Sequence, residues 1–394
     1  MPHRFMRLVA RVGAVALVLI GLALPFSHAS AQTPQVEIAG QVYVNLNTAR
    51  ANTIAAFDRH ADGTLTPLPG SPFATGGVGT GMILGSQGAL QVTSDGRYLL
   101  AVDAGSNQLS VLSIAEGGEL SPVDGGTVDS GGLVPLSIAV HEDLIYVANA
   151  GDGTNGSNYT GFRLSQEGVL SPVEGSTVTI SATALPGHIL FNATGTLLAA
   201  AEVGPDAGPS YIDSFSVNND GTLTAAAGSP FPAQALGPFG SVFSPVDPSQ
   251  LYVSNAHAGP NLGSVSAYTV ASDGTLSPNS GSPYPNQQTA PCWVEISPDG
   301  QYVFSVNTGV PSISSYHVEE DGSLALVGNT VFNQPSGLRP FDARIDPAGT
   351  YLYVVDAGAA KVSVFAVDGG NLTELPASPV SLPAGATPFG LVVI

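Results

Sequence analysis

Residues 291–324 read PCWVEISPDGQYVFSVNTGVPSISSYHVEEDGSL, and this stretch decides the fold. Pro291 opens an apolar run to Ile296, Ser297-Pro298-Asp299-Gly300 turns the chain, and Tyr302 begins a return that ends on Asn307. A third run covers 312–318, and Glu320-Asp321-Gly322-Ser323-Leu324 turns it again. Alternation at period two, as in Val362-Ser363-Val364-Phe365, marks such runs as strands. The unit recurs seven times. Its closing leucines are Leu65, Leu120, Leu170, Leu223, Leu276, Leu324 and Leu372, spaced 48–55 residues apart, the size of a four-stranded propeller blade. One such sheet cannot bury both of its faces, so the copies must stack. With 48 Gly and 31 Pro the chain is punctuated too often for long helices.

The two ends of the repeat complete each other. The first copy starts at Gln41-Val42-Tyr43-Val44, which matches the second strand of later copies. The last residues, Pro388 to Ile394, match an opening strand with nothing after it. Supplying the missing strand from the C-terminus removes an exposed sheet edge. The sequence therefore predicts an all-β chain: one seven-bladed β-propeller of four-stranded antiparallel blades over 40–394, closed by its C-terminal strand.

Arg4, Arg7 and Arg11 precede an apolar run over 12–24, and Ala29-Ser30-Ala31 follows Pro25. This pattern reads as a secretory signal peptide over 1–31, with a short linker over 32–39. Thirteen apolar residues fall short of the ~20 that span a bilayer. Cleavage near Ala31 would leave seven bases against thirty acids, a net charge of −23, with Lys361 the single lysine. A secreted product, periplasmic or extracellular, is expected, with no nucleic-acid partner and no membrane association once the signal is removed, because so acidic a surface is repelled by polyanions. The one cysteine, Cys292, forms no internal disulfide and reads as a small buried hydrophobe.

Aligned on the opening Pro, the inner strands start at Pro135, Pro186, Pro238, Pro291, Pro340 and Pro388, with Gln87 in that place in the second copy. Polar groups gather two and four residues onward, at Gln91, Ser137, His188, Trp293, Glu295, Asp342 and Arg344. Glu295 and Arg344 lie at equal depth in consecutive blades. They read either as an interblade ion pair or as a base beside a holder of anions or carbonyls. His188 is either a neutral core histidine or a catalytic group, and Asp342 either supports Arg344 or acts as a base. Trp293 would pack between blades or stack a ring-shaped ligand. The second strands end on Asp103, Asn149, Glu202, Asn255, Asn307 and Asp356, which gives a polar ring. Its members either satisfy backbone groups or contact a ligand. Gly151 to Gly156 lacks the spacing of a calcium loop, and no metal or cofactor is expected.

Tyr252-Val253-Ser254-Asn255, Tyr146-Val147-Ala148-Asn149, Ser297-Pro298-Asp299-Gly300 and Ile345-Asp346-Pro347-Ala348-Gly349 carry a family resemblance. Asp-Gly-Thr-Leu turns at 62–65, 220–223 and 273–276 add to it, as do Gly-Ser-Pro runs at 70–72, 228–230 and 281–283. The chain resembles the seven-bladed lactonase family, which includes propeller-type phosphogluconolactonases and carboxymuconate cyclases, and the shorter Tyr-Val-Thr-Asn repeats. The resemblance implies lactone chemistry at a channel mouth, with catalytic His188, Glu295, Asp342 and Arg344. Trp293, Glu202, Asp103, Asp356, Asn149, Asn255 and Asn307 would contact the substrate. Active members carry His and Arg close after several opening prolines. Here only His188 keeps that place, Arg344 lies deeper and Arg339 precedes its proline, which points to a lactone without phosphate. The alternative is a non-catalytic extracellular propeller that binds a ligand or a protein.

Overall fold

The computed structural model describes Met1, His3 and residues 36–334 and 336–394. The segment expected to be exported and cleaved, residues 4–31 above all, lies outside them. From Val36 onward the chain forms seven antiparallel sheets and, among the described residues, no helix. We number them blades 1 to 7. Their inner strands are Leu391–Val393, Leu90–Val92, Pro135–His141, Pro186–Phe191, Pro238–Phe243, Pro291–Ile296 and Pro340–Ile345.

Blade 1 takes its inner strand from the other end of the chain. Val42 pairs with Val393, Tyr43 with Val392 and Val44 with Leu391. Arg59, only 6% exposed, secures the joint: its guanidinium donates to the Ile394 carbonyl and to Asp346 of blade 7, 3.2 Å away. Seven apolar clusters occupy the seven interfaces between neighbouring blades. One joins Tyr353, Val355 and Val362 of blade 7 to Val42, Val44 and Leu391 of blade 1, so the stack closes on itself.

The repeated residues have repeated jobs. Tyrosines of the second strands donate to carbonyls of the next blade's turn: Tyr43 to Gly118, Tyr146 to Gly221, Tyr353 to Gly63. These bonds latch the Gly-containing turns of blades 1, 2 and 4 to the preceding blade. In five blades the outer strand breaks, and a second short strand pairs again with the third strand. At each break a serine oxygen replaces the absent carbonyl. Ser71 accepts from the Ala56 N–H, Ser176 from Gly161, Ser229 from Ser214, Ser282 from Ala267 and Ser378 from Val364. A buried backbone donor left unpaired would be costly, so the Ser of Gly-Ser-Pro completes the ladder.

Candidate active site

Three residues ahead of blade 2, Ser86, Gln87 and Gly88, explain how the bore is divided. Ser86 donates through its hydroxyl to the Leu136 carbonyl of blade 3, and Trp293 of blade 6 donates through its indole to the Ser86 carbonyl. The Gln87 N–H donates to Gly187 of blade 4, and its amide nitrogen to Val294 of blade 6 at 2.7 Å. The Val294 N–H answers at the Gln87 amide oxygen, 3.1 Å. Gly88 donates to Asp342 of blade 7. A segment bonded to blades 3, 4, 6 and 7 must cross the centre. Residues 86–88 therefore plug the bore. Gly88 has φ +83°, and a β-carbon there would meet the Ser137 hydroxyl at 3.0 Å and His188 Nε2 at 3.2 Å, so only glycine fits this crossing.

On one side of the plug lies a cavity of about 220 Å³, lined by Gln87, Gln91, His188, Ser241, Glu295 and Arg344 among others. Five blades, 2 and 4 to 7, contribute its polar groups from in or just ahead of their inner strands, where the side chains face the bore. His188 is 4% exposed, and its Nδ1 accepts from the Ser241 N–H at 3.3 Å. That bond assigns the ring proton to Nε2. Burial, reinforced by the nearby Arg344 charge, pulls the His188 pKa down to about 3, so the ring is neutral. Burial pushes Glu295 up to about 7, against the pull of Arg344 and of an Ile345 N–H at 3.1 Å. Arg344 donates to the Asp342 carboxylate at 3.0 Å and to the Ala343 carbonyl at 2.8 Å.

Asp342 is fully buried behind this arginine and does not line the cavity. It accepts from the backbone of Ala343, Leu391 and Gly88 as well. One carboxylate thus holds the arginine, the closing strand and the plug. Burial raises its pKa, opposed by Arg344 and these three N–H groups.

The polar ring lies elsewhere. Asn149, Glu202, Asn255, Asn307 and Asp356 stand opposite the opening prolines in the strand register, Pro186 against Glu202 for example. None lines the His188 cavity. Asn255 and Asn307 each donate to two serine hydroxyls of the third strand, and Asp356 accepts from Ser363. Asp103 accepts from Ser110, Thr75 and Asn52. Trp293 is 1% exposed, with its ring stacked on Phe341 at 4.5 Å.

Beyond the plug, on the proline side, a hollow of about 660 Å³ is lined by Phe239, His257, Cys292, Thr308, Arg339 and Phe341 among others. Arg339 lies over the Phe341 ring, and burial pushes the Cys292 thiol up to about 12. Sequence reading did not assemble this hollow, because its residues come from separate repeats and are mostly apolar. Among the described residues no group of three or more His, Cys, Asp or Glu side chains could hold a metal ion.

Residues 242–390, essentially blades 5 to 7, match the family model described as lactonase, 7-bladed beta-propeller. Over these residues the chain is similar to that family. A candidate 6-phosphogluconolactonase from Bacteroides uniformis superposes with a TM-score of 0.72 at 22% identity, over 91% of this chain and all of that one. The periplasmic gluconolactonase PpgL of Pseudomonas aeruginosa does so with a TM-score of 0.68 at 17% identity, over 90% of this chain and 99% of its own. A Lactobacillus plantarum protein superposes with a TM-score of 0.70 at 17% identity, over 90% and 99%. Likeness at these identities speaks for the fold. No curated protein matches the chain. Within the propeller, among the described residues, the plug closes the His188 cavity on one side and leaves it open at the turn side of the inner strands.

Proposed function

We propose that the protein hydrolyses an unphosphorylated lactone in the His188 cavity. The observation that carries this reading is that His188, Glu295 and Arg344, from three different blades, line one cavity open to solvent. A lactone carbonyl oxygen would accept from the His188 Nε2–H and from the Arg344 guanidinium, which stabilise the charge that grows there. Glu295, with a pKa near neutrality, is ionised in part at pH 7 and takes a proton from water as the water attacks the carbonyl carbon. The tetrahedral intermediate collapses by breaking the ring C–O bond, and Glu295 returns the proton to the leaving alkoxide. The product is a hydroxy acid, and the reverse path would form the lactone.

The absence of phosphate from the substrate follows from the charge balance. The one arginine lining the cavity is already paired with Asp342, so a dianion would find no free cation there. The same reading carries cleavage near Ala31 and export of an acidic product. N-terminal sequencing of the protein recovered outside the cytoplasm would begin at Gln32. The decisive test is turnover of a panel of unphosphorylated sugar and aliphatic lactones by the parent and by His188→Ala. Hydrolysis of at least one lactone, lowered by the substitution, is expected. No turnover across the panel would sink the proposal in favour of a binding propeller.

A further inference from the structure

Seven repeats in one chain supply their own controls, and blade 4 departs from the rest. In blades 2, 5, 6 and 7 the acid or amide that ends the second strand is bonded to a third-strand serine: Asp103 to Ser110, Asn255 to Ser266, Asn307 to Ser314, Asp356 to Ser363. Blade 4 has Glu202 in the first place and Asp213 in the second. Two carboxyls therefore face each other where blades 2, 5, 6 and 7 pair an acid or an amide with a hydroxyl. Glu202 is 6% exposed and Asp213 5%. Tyr159 of blade 3 donates to Asp213 Oδ2 at 2.8 Å, whereas the hydrogen-bond partner of Glu202 among the described residues is the Asp213 carboxyl itself.

Both carboxyls line a cavity of about 570 Å³ with Val178, Ile180, Tyr211 and Phe215, and no Lys, Arg or His is among its lining residues. We propose that this cavity between blades 3 and 4 is a binding site for an organic ammonium ligand, its charge seated on Glu202 and Asp213 and its apolar body on Val178, Ile180 and Phe215. The inference is independent of the lactone reading, since none of these residues lines the channel cavity. Burial and mutual repulsion raise both acids, Glu202 to about 8, so the pair favours a single negative charge over two. A single ammonium balances that charge. A bare divalent ion would need six to eight oxygens, and only two carboxyls stand in a lining that is otherwise hydroxyls and an apolar wall. The rings of Tyr211 and Phe215 add faces that favour a cation.

Calorimetric titration of the purified protein with benzylammonium chloride tests the site, with benzyl alcohol and calcium chloride as separate arms. The variants are Glu202→Gln and Asp213→Ser, the latter installing the residue that blades 2, 5, 6 and 7 already carry. One saturable benzylammonium site is expected, weakened at least tenfold in each variant, with no saturable heat from the alcohol or from calcium. Should Asp213→Ser fail to melt cooperatively, Glu202→Asn, which installs the amide of blades 5 and 6, carries the same readout. Absence of saturable binding by the parent overturns the proposal. So does equal affinity in parent and variants, or saturation by calcium with none by benzylammonium.

Discussion

The two sides of the plugged bore differ in a way that size does not reveal. The proline-side hollow is three times larger, yet phenyl rings, a protonated thiol, His257, Thr308 and one arginine on a ring face make up its chemistry. The turn-side cavity is small and gathers a neutral histidine, a half-ionised glutamate and an arginine held by a buried aspartate. The difference arises from strand geometry. Just after each opening proline the inner strand meets the plug and its neighbours, so packing selects Phe239, Cys292 and Phe341. Four residues onward the side chains of seven converging strands have only the bore to face, and polar groups there reach water. Convergence of polar groups, not volume, marks the reactive side.

Substitution of the two arginines breaks this comparison most sharply. Arg344→Ala should lower kcat/KM for lactone hydrolysis by about 100-fold or more, the scale of losing one preorganised donor to a developing oxyanion. Arg339→Ala should leave it within about threefold. The reverse ranking in steady-state assays would move the chemistry to the proline side. A pH profile sharpens the same point. Glu295 acts as a base only when ionised, so kcat/KM should climb about tenfold per pH unit below its pKa of about 7 and level off above it. His188, held near 3, adds no inflection above pH 5. Glu295→Gln should flatten the climb, and a parent profile flat from pH 5 to 8 would dismiss Glu295.

The plug itself is open to attack. Gln87→Ala removes two side-chain bonds to Val294, at about 0.5–1.5 kcal/mol each, so unfolding in denaturant should show a loss of about 1–3 kcal/mol. An unchanged midpoint would mean that the crossing is held by its backbone alone. The smallest effect concerns Cys292. Its buried thiol should react with a maleimide far more slowly than free cysteine at pH 8, and Gln87→Ala should change that rate little, since the hollow already reaches Cys292.

Much of this was legible in the residues. Apolar alternation, recurring turns and the half-copy at each end lead directly to seven blades closed by Leu391–Val393, because period, length and edge pairing are local properties. Glu295 and Arg344 could be set at one depth by counting from the prolines, and His188 two residues nearer its own proline on the same strand face. The counting could not show that Asp342 would turn away from the cavity and tie Arg344 to the closing strand. Nor could it show the plug. Gln87 is visible as the one inner-strand opening without proline, but the partners of residues 86–88 lie about 50 to 250 residues away on four other blades. Glu202 stood out as an acid at a strand end. Its partner Asp213 emerges only when the third strands are aligned across blades, where serine is the rule.

The joint of 42–44 with 391–393 also dictates an order of events during synthesis. Blades 2 to 7 can each be completed from contiguous chain as it leaves the ribosome. Blade 1 waits with an open inner edge until nearly 350 further residues have been translated. Joining positions so far apart in the chain is the slowest kind of contact to make. Until it forms, Val42, Val44 and Tyr353 have no strand to cover them, and the nascent polypeptide stays a threadable string instead of a sealed disc.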